Sequence, residues 1–472
     1  MKRTMWITVT LILMLSTLLV ACQPQVVEKT VEKVVTAQVV VKETVEVEKE
    51  IIKEVAVTAA PETMPTDDNA PITVWVDTTR QGGVELYKEL HPEVADLVNI
   101  EIVDRGQFPA KVLLFNNTGS GWPDVVFAEP FPLVAQVADA SHAFPMDLKD
   151  SVPSEIIDGF APGALEPCTF DGHLYCLRND LAQVVLWYDA KKMEEWGYEV
   201  PTTWEEYEEL GAIVAKEHPG AIVGTCGDDQ CLTAYFQGSR CPVGQVKSAS
   251  EVRINTQDPK CLRAAEMLDR MIANGSVDKL SPFDPAFVEK VKAGNLLMLP
   301  AASWYGEYIF GGKPDSMYYQ SGEGQLGVAL PLKWADEDKP YTGFHGGSAW
   351  TVSRHTANPK LAIDVAQFMS AGHEYQDTAV TFPAYLPAAD EWAKTVASNP
   401  VYAFDPYPVL KEAASMMSIE GLGNIRYDWQ NPFTTDVTSA IQKGETIVSA
   451  LPKLQETYKG LAEAQGYQVS TE

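Results

Sequence analysis

Basic residues are scarce in this 472-residue chain: 36 lysines and arginines stand against 65 aspartates and glutamates, a formal charge of -29. No Lys/Arg cluster breaks that background, so the surface repels phosphate backbones and anionic headgroups, and nucleic acid is excluded as a partner. Long apolar runs are missing too, since the one from Ile7 to Val20 is too short to cross a bilayer comfortably. The 7 histidines, His345 and His355 among them, show no HxxxH or HExxH spacing, which leaves a metal site without sequence support. No serine sits in a nucleophile elbow, because Gly119-Ser120-Gly121 lacks the pattern. Gly322-Glu323-Gly324-Gln325-Leu326-Gly327 matches a dinucleotide fingerprint in letters, but it precedes a strand where the mechanism needs it to follow one. No cofactor is expected.

What is present is apolar material, 46% of residues, enough for about two to three domain-sized cores. At the amino terminus Lys2 and Arg3 form the charged front of an export signal, and Ile7 to Val20 its apolar stretch. Leu19-Val20-Ala21-Cys22 resembles the lipobox of bacterial lipoproteins. That resemblance implies a signal peptide of residues 1–21 and a diacylated Cys22 holding the protein on the outer face of the cytoplasmic membrane. Each acyl methylene buried there contributes about 0.8 kcal/mol. The six other cysteines, Cys168, Cys176, Cys226, Cys231, Cys241 and Cys261, form an even set in an oxidising compartment, which points to disulfides. Six cysteines allow 15 connectivities; nearest-neighbour pairing is the one expected. Zinc is the rival reading, and it lacks paired C-x-x-C and histidine elements.

Residues 22–70 are rich in Val, Glu, Lys and Thr, without aromatics. Apolar residues at 27, 31, 34, 41, 45, 52 and 55 step by four and three, missing only at Gln38 and Glu48, the spacing of a coiled-coil seam. Val39-Val40-Val41 fits extended structure equally well. The expected reading is a monomeric solvated spacer, flexible at Pro61 and Pro65; a self-associating helical stalk is the alternative.

From Ile72 onward short strands alternate with capped helices. Ile72 to Val76 is an apolar β-branched run, and Gly121 to Phe127 is a turn feeding a buried strand. Thr203-Trp204-Glu205-Glu206 is a capping box opening an amphipathic helix. Asp258-Pro259, Asp284-Pro285 and Asn358-Pro359 each place a cap before a helix-starting proline, and Gly275, Gly294 and Gly372 supply stops. Strands are expected at residues 295–299 and 325–330. Such alternation predicts α/β layers with a largely parallel sheet.

The order of these segments resembles family 1 extracellular solute-binding proteins, the maltose-binding-like group. The likeness rests on Ile72-Thr73-Val74-Trp75, Trp122-Pro123-Asp124-Val125-Val126, and His173-Leu174-Tyr175 with Leu186-Trp187-Tyr188-Asp189. It continues through Pro201-Thr202-Thr203-Trp204-Glu205-Glu206, Gly294 to Met298 with Ser303-Trp304, and Gly346-Gly347 before Ala357-Asn358-Pro359. The resemblance implies an α/β, two-lobe periplasmic-binding-protein-like fold (type II), each lobe a mostly parallel sheet flanked by helices, joined by crossing hinge strands. Lobe one would hold residues 71–181 and 332–350, and lobe two 182–331 and 351–472. Three cysteine pairs are not a general feature of the group, so loops there are expected to differ.

A sugar site needs aromatic rings for stacking and polar groups that bond hydroxyls in the plane. Trp304 and Tyr305, after an apolar strand, are the first stacking candidates; Tyr235, Phe236, Phe382 and Tyr385 are the others. The competing role of each is core packing. Asp77, Thr78 and Glu129 follow strand ends, where open α/β folds bind ligands. Asp180 and Gln183 flank the expected hinge, and Gly346 and Gly347 allow close backbone approach. For the acids the competing role is a solvated surface charge. The function implied is capture of a small solute, a sugar favoured, by closure of the lobes and delivery to an ABC permease. A non-sugar solute such as a polyamine is the alternative, and a secreted carbohydrate-active enzyme a more distant one.

Overall fold

The computed structural model describes residues 66–130, 134, 144–248, 250–311, 322–417 and 425–472. The expected signal peptide, Cys22 and the expected spacer up to residue 65 lie outside the described residues.

Strands Ile72–Val76 (β1), Val98–Ile102 (β2) and Val125–Ala128 (β3) pair in parallel, with Val74 between Ile100 and Val125. All four residues of β3 are buried, the unbroken apolar run of a strand covered on both faces. The sheet continues through Ala349–Val352 (β8) to Leu177–Arg178 (β4), in the order β2-β1-β3-β8-β4. A second sheet has Val184–Asp189 (β5) between Met298–Ala302 (β6) and Leu326–Ala329 (β7).

The expectation of mostly parallel sheets holds for β1 to β3 and for two short pairs, Glu251–Arg253 with Gln468–Ser470 and Val277–Asp278 with Gly224–Thr225. β8 runs antiparallel to both β3 and β4, and β5 is antiparallel to both β6 and β7. A parallel neighbour needs a crossover that returns the chain to the end where the strand began. β6 and β8 instead return from long excursions and enter from the other end.

β5 divides two cores. Val185 and Trp187 belong to a buried cluster that also takes in β1, β3 and β8, with Phe310 and Tyr402 beside Trp187, whereas Val184 and Leu186 belong to the cluster of the helices Trp204–Glu217 (α2), Pro259–Asn274 (α3) and Ile447–Ala464 (α6). The period of two along a strand accounts for that division.

The caps form as their sequences dictate. Thr203 and Glu206 exchange both bonds of a capping box at the start of α2. Asp258 accepts from the Lys260 amide at 2.9 Å at the start of α3, and Asp284 from the Ala286 amide at 2.8 Å at the start of Pro285–Lys292 (α4). Asn358 accepts from the Leu361 amide at 3.2 Å, opening Pro359–Ala371 (α5). Gly275 closes α3 at φ +84°, but Gly372 ends α5 in an extended conformation at φ -71°. The strands expected at 295–299 and 325–330 sit at Met298–Ala302 and Leu326–Ala329.

The lobe boundary expected at residue 350 is not where the chain changes partners. α5 packs on β8 and on Gln81–Leu90 (α1). The Tyr87 hydroxyl donates to Asp364 at 2.6 Å, and Asn358 Nδ2 donates to the Asp68 and Ala70 carbonyls at 3.0 Å. Residues 358–371 therefore sit with the first sheet. The bonds to α1 and to the segment before β1 hold this helix there. Cys168–Cys176, Cys226–Cys231 and Cys241–Cys261 are disulfides, the nearest-neighbour pairing, with Cα separations of 5.0, 4.7 and 4.7 Å.

Candidate functional site

Polar groups gather where strands of the first sheet end. Asp77 follows β1 and accepts from the Arg80 amide at 2.9 Å, and its carboxylate lies 3.3 Å from the Arg80 guanidinium. That guanidinium lies over the Phe127 ring of β3, 4.7 Å from its centroid. Burial disfavours the Arg80 charge, but Asp77, Asp180 and the phenols of Tyr375 and Tyr308 outweigh it, so its pKa is raised. Tyr375 is pushed up to about 12, chiefly by burial.

Glu129 follows β3, with the Ser348 hydroxyl 3.4 Å away. Arg178, fully buried in β4, donates from Nε to the Asp180 carbonyl at 3.1 Å and from Nη2 to the Leu181 carbonyl at 3.3 Å. Its Nη1 has no partner among the described residues. Burial lowers the Arg178 pKa, and Asp180 and Glu129 offset only part of that. Asp180 itself accepts from Asn179 Nδ2 at 3.1 Å.

A second group surrounds Trp304. Its indole N–H donates to the His345 carbonyl at 2.8 Å, and its ring centroid lies 4.4 Å from Tyr305, 6.1 Å from Tyr308 and 6.4 Å from Phe283. Phe283 and Tyr308 are 43% and 36% exposed, so this side offers apolar ring faces to solvent. Tyr305 is buried and donates to Gln230 Oε1 at 2.5 Å. Gln230 Nε2 has no partner among the described residues.

Asp228 and Asp229 precede Gln230. Asp228 accepts from the Ser281 hydroxyl at 2.6 Å. Asp229 accepts from Gln430 Nε2 at 2.7 Å and lies 4.0 Å from His345 Nδ1. Burial raises both carboxyls; for Asp228 the neighbouring Asp229 adds to the rise, and for Asp229 the charges of Asp428 and Glu129 do. The two groups thus feel each other, Glu129 acting on Asp229 and Tyr308 on Arg80.

Asp77, Glu129, Asp180 and Trp304 fall in these groups, with Tyr305 buried behind Trp304. Thr78 is exposed beside Asp77. Gly346 and Gly347 adopt φ +89° and +79°, and a Cβ on Gly347 would meet Arg178 Nη2 at 2.0 Å. Gln183 is fully buried and structural: its Nε2 donates to the Leu410 carbonyl at 2.9 Å, and its Oε1 accepts from the Ser303 hydroxyl at 3.0 Å.

The remaining aromatics lie elsewhere. Tyr235 and Phe236 are in the core with α2 and α3; the Tyr235 hydroxyl is 3.1 Å from that of Tyr207. They occupy a π-helical segment, Leu232–Gln237, all of whose residues are buried. Phe382 is buried, its ring 5.9 Å from Tyr407, and Tyr385 packs 5.4 Å from Phe160. Sequence reasoning missed Arg80, Asp228, Asp229, Gln230, Phe283 and Tyr308. The one available signal was a pair of acids and an amide between two cysteines five residues apart.

The bacterial extracellular solute-binding protein family matches residues 75–371, more than half of the chain. The arabinooligosaccharide-binding protein of Halalkalibacterium halodurans is 22% identical over 365 residues, covering 74% of this chain and 79% of its own. A probable ABC transporter-binding protein of Deinococcus radiodurans is 24% identical over 252 residues, 50% of this chain and 56% of its own. Among solved structures, the ABC transporter associated binding protein of B. animalis subsp. lactis, in complex with β-1,6-galactobiose, superposes with TM-score 0.67 at 16% identity, covering 85% of this chain and 99% of its own. The galacto-N-biose/lacto-N-biose I-binding protein of Bifidobacterium longum gives 0.66 at 18% identity, covering 86% and 100%. A cyclo/maltodextrin-binding protein complexed with maltotetraose gives 0.64 at 17%, covering 84% and 97%, so the shared fold is that of the maltose-binding type. The chain belongs to the bacterial extracellular solute-binding protein family.

Proposed function

We propose that this protein binds a mono- or oligosaccharide between two lobes and delivers it to an ABC permease, held at the outer face of the membrane by a lipid on Cys22 and a monomeric spacer. One lobe is built on the first sheet with α1 and α5, and the other on the core of α2, α3 and α6. The connecting segments are those around Leu181–Val184 and Phe344–Gly347. The observation that carries the reading is the opposition of chemistries. Trp304, Tyr308 and Phe283 supply ring faces, and Asp77, Glu129, Asp180 and Asp229 supply acceptors for hydroxyl edges. The oligosaccharide names of the relatives support the same class.

A solute touching both lobes favours the closed form because only that form makes both sets of contacts. Calorimetric titration with arabino-oligosaccharides, galactobiose and maltotetraose tests the class. Trp304→Ala is expected to weaken the best binder about tenfold or more, a loss of about 1.4 kcal/mol, with Trp304→Phe retaining most of the affinity. No heat with any sugar, or a scattering profile unchanged at saturation, refutes it. A second reading, a polyamine, is favoured by the number of carboxylates against the two arginines at the site; heat with spermidine and none with sugars selects it.

A further inference from the structure

Asp228, Asp229 and Gln230 lie in the shortest disulfide loop of the protein, five residues from Cys226 to Cys231. We propose that this disulfide is a positioning device for the ligand site, holding two like-charged carboxylates and an amide donor at fixed places on the wall beside Trp304. The proposal rests on the reading that the solute binds between the two groups of residues described above.

Three observations carry it. The first is how the loop is clamped. The Cys226 amide donates to the Asp278 carbonyl at 2.9 Å and the Cys231 amide to the Asp228 carbonyl at 3.2 Å. A Cβ on Gly227 would lie 1.9 Å from the Leu280 carbonyl carbon, so the loop runs directly on the Leu280–Ser281 backbone. The second is what the loop holds: its three side chains bond to Ser281, Gln430 and Tyr305, on three separate segments. Burial disfavours the charge on both aspartates and Asp229 adds to that on Asp228, so an unrestrained loop would let them part. The third is scale. Cross-linking residues so close in sequence removes less chain entropy from the unfolded state than the 20-residue separation of Cys241–Cys261 does. A local ordering role accounts for the bond better than global stability does.

The test compares the full chain with two double variants, Cys226→Ala with Cys231→Ala, and Cys168→Ala with Cys176→Ala as a control for losing a disulfide elsewhere. Hydrogen exchange of the amides of residues 227–231 is expected to quicken at least tenfold in the first variant and to stay within twofold in the second. The Kd of whichever of galactobiose, maltotetraose, arabino-oligosaccharide or spermidine binds the parent best is expected to rise at least tenfold in the first variant alone, with melting temperature lowered no more than in the control. Unchanged loop exchange, or equal effects in both variants, overturns the proposal. If the parent binds none of the four probes, the solute reading fails and hydrogen exchange alone decides on the loop. If the alanine pair does not fold, the native protein is reduced stepwise with dithiothreitol, alkylation of Cys226 and Cys231 is followed by mass, and loop exchange is read in the same samples against the same criteria.

Discussion

Replacing Gly347 by alanine isolates the contact that keeps Arg178 in place. The residue adopts φ +79°, which costs an L-residue about 1–2 kcal/mol. The added Cβ would fall 2.0 Å from Arg178 Nη2 and 3.0 Å from the Leu181 carbonyl, so the guanidinium must move. Arg178 has no solvent exposure, and its Nη2 donates to the Leu181 carbonyl at 3.3 Å. Losing a buried bond to a charged group costs about 1.5–3 kcal/mol more, giving a total of about 2.5–5 kcal/mol. Gly346→Ala is the control: its φ is +89°, but its Cβ would meet nothing closer than Trp304 Nε1 at 3.5 Å, an ordinary contact. Only the backbone cost of about 1–2 kcal/mol then applies. Urea unfolding followed by tryptophan fluorescence gives both values. Arg178→Met in the Gly347→Ala background should be less than additive, because the two residues share one contact. Equal destabilisation by the two alanines, within about 0.5 kcal/mol, refutes the steric argument.

Other outcomes follow from single contacts. Thr203→Ala removes half of the capping box of α2 and should cost about 1 kcal/mol in urea unfolding. Gln183→Leu strands the Leu410 carbonyl and the Ser303 hydroxyl; about 1–3 kcal/mol for each group left unpaired is expected by the same measurement. The raised carboxyls of Asp228 and Asp229 mean that the folded protein keeps protons the unfolded chain has released, between the ordinary aspartate pKa and the raised one. Stability should therefore fall as pH rises through that window and level off above it. Asp228→Asn with Asp229→Asn should flatten that part of the profile, and an unaltered slope counts against the burial of the pair.

Local structure was legible in the sequence wherever its cause is local. β1, the capping box at Thr203 and the caps at Asp258, Asp284 and Asn358 are set by residues within a few positions of each other. Asp77 and Glu129 stand at the ends of β1 and β3, positions that the strand pattern alone marks. Arg80 has no such mark, because Phe127, Asp180 and Tyr308 are brought near it by the fold. Asp229 and Gln430 are 201 residues apart and Gln230 and Tyr305 are 75 apart, so no window of sequence joins them. Tyr235 and Phe236 misled for a related reason: an aromatic letter carries no direction, and the π-helical turn points both rings inward. Sheet sense was misjudged because alternation of strands and helices reports their number, not the end from which a returning strand enters.

β5 has a mechanical consequence. Its successive side chains are rooted in opposite interiors, so bending within it would disturb the packing on both sides at once, and a slip of one residue would exchange Trp187 for Leu186. Such a strand behaves as a rigid spine. Under the proposed closure, compliance falls to the short links at its amino-terminal end and to the glycine pair beside them, where a few torsions turn without unpacking either interior.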